Sequence, residues 1–132
     1  MKHRVLKIGR WVVDFLFVTK YYDEEAVLAF LYEFNASYDV MERARRIMES
    51  GRMNRGFTFA NQNMRRALVV VGPTSSGEEF IDSLVHEVHH LAVAIGKSIG
   101  YDLESEGPAY ISGDAARALA HTICELGCNK CR

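Results

Sequence analysis

The stretch 74–96, TSSGEEFIDSLVHEVHHLAVAIG, decides how the second half of the chain folds. It opens on serines that can cap a helix, each followed three residues later by an acid: Ser75 by Glu78, Ser76 by Glu79. That spacing satisfies the free N–H groups of a helix start. From there Phe80, Ile81, Leu84, Val85, Val88, Leu91, Ala92 and Ile95 recur at steps of three and four, the period of a helix with one buried stripe. Gly96 or Gly100 can end it, because glycine takes the left-handed conformation that closes a helix C-terminus.

Well inside this helix lies His86-Glu87-Val88-His89-His90. Residues four apart share a helix face, so His86 and His90 can hold one ion, while Glu87 is turned by about 100° and can reach a water beside it. The H-E-x-x-H spacing thus supplies two zinc ligands and a base. A polar helix face that matches the pattern by chance is the plainer reading. Tetrahedral zinc with an open position takes three protein ligands, so a third is expected downstream. Asp102, Glu104 and Glu106 crowd ahead of a second helical pattern, Ala109, Ile111, Ala115, Leu119 and Ile123, with Ser105 as its N-cap and Pro108 tolerated in the first turn. A helix returning beside the first would bring an acid to the histidines. Glu106 is the expected ligand, because Tyr110 and Asp114 follow it at four-residue steps; Glu104 competes, and a solvated loop is the bland alternative. Asp82 and Asp114 are candidates to accept the free imidazole N–H groups.

Working back from this helix, 56–72 reads as a hairpin, with Phe57 and Phe59 on one side, a turn near Asn61-Gln62-Asn63, and Leu68 to Val71 as a buried strand. Residues 4–18 alternate around Gly9-Arg10, which predicts another hairpin with one apolar face. Between the hairpins, Asp23 can cap a helix carrying Ala26, Val27, Phe30, Leu31 and Phe34. Ser37 can cap a second carrying Val40, Met41, Ala44, Ile47 and Met48, stopped by Gly51. The predicted fold is α+β: a small antiparallel sheet, two preceding helices on one side, and a C-terminal metal-binding helix pair packed on the sheet. With 132 residues, 48% of them hydrophobic, the chain can bury one core, and a single domain over 1–132 is expected.

A net charge of −1, from sixteen basic and seventeen acidic residues, gives no pull toward nucleic acid or anionic membrane. The clusters Arg43, Arg45, Arg46 and Arg52, Arg55, Arg65, Arg66 read as solvated faces. The apolar runs near the start are broken by Lys7, Arg10 and Asp14, so neither a signal peptide nor a spanning helix is read there and a cytoplasmic location is expected. Cys124, Cys128 and Cys131 are expected as reduced thiols. With His121 they make H-x2-C-x3-C-x2-C, which could hold a second zinc or simply mark a frayed helix end after Gly127.

The H-E-x-x-H motif followed by a glutamate opening the next helix resembles the gluzincin type of zinc metallopeptidase. More narrowly, Gly56 to Asn61, Val69 to Ser76, the histidine motif and Glu106-Gly107-Pro108-Ala109-Tyr110 look like small phage and prophage proteins of gut bacteria that are labelled peptidases; the likeness covers residues 56–114. The resemblance implies a minimal zincin-like fold with Zn2+ on His86, His90 and Glu106, acting on a peptide or protein substrate. Glu87 would take the proton of a metal-activated water and return it to the leaving amine, with Tyr110, backed by His89, as donor to the oxyanion. In such peptidases a strand beside the metal helix pairs with extended substrate, which makes Arg65 to Val71 the expected shelf. Two other readings stand beside this one. A fourth ligand, His89 or Glu104, would make a closed, noncatalytic zinc brace, and a host-directed effector would bind through its basic helices whether or not metal is present.

Overall fold

A computed structural model describes residues 1–102 and 104–131, without the side chains of residues 128–131. Strands β1 (Lys2–Ile8) and β2 (Trp11–Phe17) form the first hairpin, turned at Gly9, whose φ of 59° lies in the left-handed region open to glycine. Strands β3 (Gly56–Asn61) and β4 (Arg66–Val71) form the second. The sheet order is β1-β2-β4-β3, and the hairpins meet along a parallel pair in which Val12 faces Arg66 and Phe17 faces Val71. The sheet is therefore mixed, where an antiparallel one was predicted.

Burial explains the mixture. Val13, Phe15 and Phe17 of β2 and Ala67, Val69 and Val71 of β4 face one core, while Leu16, Val18, Leu68 and Val70 face another. Strands apolar on both faces belong in the middle of a sheet between two helical layers. Each hairpin has one such strand, so the hairpins join along them and leave β1 and β3 at the edges. The expectation of one apolar face failed at Asp14, which is 3% exposed. Arg66 Nη2 donates to its Oδ2 at 3.1 Å, His3 Nε2 lies 2.7 Å from its Oδ1, and the Arg66 guanidinium lies 4.6 Å from the Phe34 ring centre. A carboxylate held this way can be buried where a lone one could not.

One face is covered by α1 (Glu24–Glu33) and α2 (Tyr38–Glu49), capped as expected: Asp23 accepts the Ala26 N–H and Ser37 the Val40 N–H. The other is covered by α3 (Gly77–Ile99), α4 (Gly107–Ala118) and α5 (Ala120–Cys131). Ser76 accepts the Glu79 N–H at 3.1 Å, which selects the second of the two possible starts for α3, and Gly100 at φ 78° ends it. Trp11 is buried in this core, its indole N–H donating to Ser98 of α3 at 2.8 Å. The single helix predicted after residue 106 is divided at Leu119, which lets α5 turn toward β1, where Arg4 Nε donates to Thr122 and Lys2 pairs with Glu125. Ser105 does not cap α4 in the predicted way: Glu106 holds the N-cap position without a side-chain bond, and the Ser105 hydroxyl accepts the Gly107 N–H instead. The fold is α+β, with a four-stranded mixed sheet and five helices among the described residues, and no helix of them is long and apolar enough to cross a membrane.

Candidate metal centre

Helix α3 runs beside the free edge of β3. Strand alternation sends Phe57 and Phe59 to the α1/α2 core and leaves Thr58 and Ala60 facing α3. Glycines permit the close chain crossing at this corner: a Cβ on Gly56 would overlap the Val70 carbonyl, and one on Gly72 would overlap the Arg55 carbonyl and the Tyr22 hydroxyl.

On the α3 side, His86 and His90 are exposed with their Nε2 atoms 3.2 Å apart and their rings 4.8 Å apart at 78°. Two zinc–nitrogen bonds of about 2.05 Å at a tetrahedral angle set the nitrogens about 3.3 Å apart, so the pair has the spacing that one ion requires. Without metal, the same distance lets one imidazole N–H donate to the other. Glu87, one residue on, is buried at 6% exposure. Its Oε1 accepts the Thr58 hydroxyl at 2.9 Å, and that hydroxyl is also 3.2 Å from the Glu87 carbonyl. The half-buried Tyr22 donates to the Arg55 carbonyl at 3.1 Å. Its phenol pKa is raised above the ordinary value, first by burial and then by the negative charge of Glu87, with Arg55 opposing.

His86 and Glu87 line two cavities, and His90 lines the larger of them. The larger, about 490 Å³, runs between β3 and α3 past Thr58, Ala60, Gln62, Val93, Ala94 and Lys97. The smaller, about 200 Å³, is bordered by Asn54, Arg55, Asp82 and Ser83 on the other side of His86 and Glu87. Gln62 Nε2 donates to the Ala94 carbonyl at 2.9 Å and ties the hairpin turn to the helix. The groove is thus open past the histidines in both directions.

His86, Glu87 and His90 come together; the other predicted site residues do not join them. Glu104 and Glu106 are exposed before α4 and at its head, and Tyr110 is 70% exposed on α4. That helix packs on a different side of α3, across a groove lined by Leu84, Val85, Val88 and His89 from α3 and Ser112 and Ala116 from α4. Among the described residues no three His, Cys, Asp or Glu side chains gather as a metal-binding group. Asp114 pairs with Arg117 at 2.9 Å, and Asp82 borders the smaller cavity beside His86. Cys124 is an exposed free thiol, while the Cys128 and Cys131 side chains lie outside the described residues. Arg65 to Val71 cannot be a substrate shelf: β4 is paired on both sides, and the edge beside the histidines is β3.

Thr58 was legible, since the alternation around Phe57 and Phe59 puts a hydroxyl on the opposite side of the strand. Tyr22 carried no signal in the sequence. Comparison of the chain with models of protein families, with curated proteins and with solved structures returned no match.

Proposed function

We propose that the chain is a zinc-dependent peptidase in which His86 and His90 hold the ion and Glu87 is the base. The observation that carries this reading is the 3.2 Å spacing of the two Nε2 atoms beside a buried carboxylate, in an open groove next to a free strand edge. Glu106 completes the ligand set in the reading drawn from the resemblance. Exposed at the head of α4, it stands apart from the pair, as does Tyr110 within that helix.

Zinc held there would supply a Lewis acid that polarises the scissile carbonyl and lowers the pKa of a bound water toward neutrality. Glu87 accepts the proton of the attacking water and delivers it to the leaving amine. Thr58 orients that carboxylate through Oε1. The side of β3 that pairs with no other strand takes up an extended peptide as an added strand, which lays its backbone along the histidine pair.

Elemental analysis of zinc-loaded protein tests the site. The wild type should retain one equivalent and His86→Ala and His90→Ala none, because losing one ligand removes a large share of the binding free energy. Full occupancy in both variants would falsify the site. A noncatalytic metal site is the second reading, favoured because among the described residues only His86 and His90 come together as ligands, fewer than the three of catalytic zinc. It takes over if the loaded wild type binds zinc yet cleaves nothing in a broad peptide library.

A further inference from the structure

We infer that the long arm of the groove selects an extended peptide bearing a carboxylate about three residues from the histidine pair, with Lys97 as the group that recognises it. The position of the cut bond rests on the peptidase reading; the binding preference does not.

Beyond His90 the larger cavity is walled by Ala60, Val93, Ala94 and Gln62, which are apolar or neutral, and Lys97 stands at its far end. The other charged side chain lining it, Glu87, lies at the histidine end and is engaged by Thr58. Lys97 is exposed and belongs to none of the ion pairs among the described residues. It follows His90 by two helical turns, so it shares that face at a distance of about 10 Å along the axis. An extended chain covers about 3.3 Å per residue, so a ligand lying over the histidines meets the ammonium about three residues later.

The polarity of the groove limits what the carboxylate can be. Thr58 meets Glu87 and Gln62 meets Ala94, so β3 and α3 run the same way past the site. A peptide antiparallel to β3 presents its N-terminal side to Lys97, and the carboxylate is then an Asp or Glu side chain. A parallel peptide presents its C-terminal side, where a free terminus serves as well. Lys97 also lies in the last turn of α3, where a cation is favoured by the helix carbonyls. A lysine present for that reason alone would leave peptide affinity unaffected.

The test uses full-length, metal-free, 15N-labelled protein titrated with three acetylated pentapeptides: DAVAA amide, NAVAA amide, and AAVAA with a free C-terminus. One acid-bearing peptide or both should bind about threefold to fivefold more tightly than NAVAA amide at low salt, the upper part of the range of an exposed ion pair. The Lys97, Ala94 and Ala60 resonances should move. Lys97→Met should bring all three peptides to the NAVAA level, and Lys97→Glu should favour a peptide with Lys in place of Asp. Which acidic peptide gains distinguishes a side chain from a terminus. Equal affinities, no binding of any peptide, or a preference that survives Lys97→Met overturns the inference. If the preference holds but zinc-loaded protein hydrolyses nothing, the peptidase reading fails alone; hydrolysis without the preference sinks this inference alone.

Discussion

At the scale of single residues, the Thr58 hydroxyl couples an edge strand to the buried carboxylate of α3. Thr58→Val removes a hydrogen bond to a charged group and should lower stability by about 1.5–3 kcal/mol in urea unfolding, with Thr58→Ser retaining most of it. Equal stability of Val and Ser variants would show that the contact contributes nothing. Glu87→Gln keeps the shape and removes the base, so zinc should stay bound while peptide hydrolysis falls by orders of magnitude. Tyr22 gives a pH dependence. Its folded pKa is raised above the unfolded value near 10, so the stability it contributes is complete below pH 10 and is lost as pH rises through the folded pKa. Above pH 10 the wild type should lose stability faster than Tyr22→Phe, which keeps every other tyrosine; parallel curves would remove Tyr22 from the account. The histidines and Glu87 were legible because four-residue spacing on a helix is local geometry. Tyr22 was not, because its position depends on a chain crossing at Gly56 and Gly72.

At the scale of elements, local chemistry again carried furthest. Asp23, Ser37 and Ser76 cap the helices they precede, and both hairpins lie where alternation and turn residues put them. What alternation could not supply was the neighbour of each strand. Asp14 makes one side of β2 read as solvent-facing, and only the approach of Arg66 and His3 makes that side a core position. With β2 misread as one-faced, the parallel pair was invisible and β4 was mistaken for an edge. The side of α3 on which α4 docks was equally hidden, because Ile111, Ala115 and Leu119 specify a buried stripe but not its partner stripe. Gly56→Ala tests the edge strand itself. The added methyl meets a backbone carbonyl that cannot swing away, so β3 should separate from β4 at a cost of about 1–3 kcal/mol, with faster amide exchange along 56–61. Unchanged exchange would mean that the corner relaxes without opening the groove.

At the scale of the whole molecule, the sheet divides two helical layers, and the histidine groove belongs to one of them. Cys128 and Cys131 follow Gly127, which packs near Phe80 on that layer, and Cys124 precedes it. Removing the residues beyond it should change zinc content by less than one equivalent, whereas a fall from two equivalents to one would reveal a second ion there. The parallel pairing of β2 with β4 also has a kinetic consequence. Each hairpin closes over a few residues, but bringing Val12 to Arg66 closes a loop on the order of fifty residues, an entropic cost incurred before any contact offsets it. Joining the hairpins is therefore the expected slow step of folding. The histidine pair, by contrast, lies within a single turn of α3, a contact that requires no long-range closure. Trp11 of β2, the chain's one tryptophan, reports the join when its indole reaches Ser98 of α3. Refolding followed by its fluorescence should proceed at one rate with or without zinc; acceleration by zinc would place the histidine pair inside the barrier.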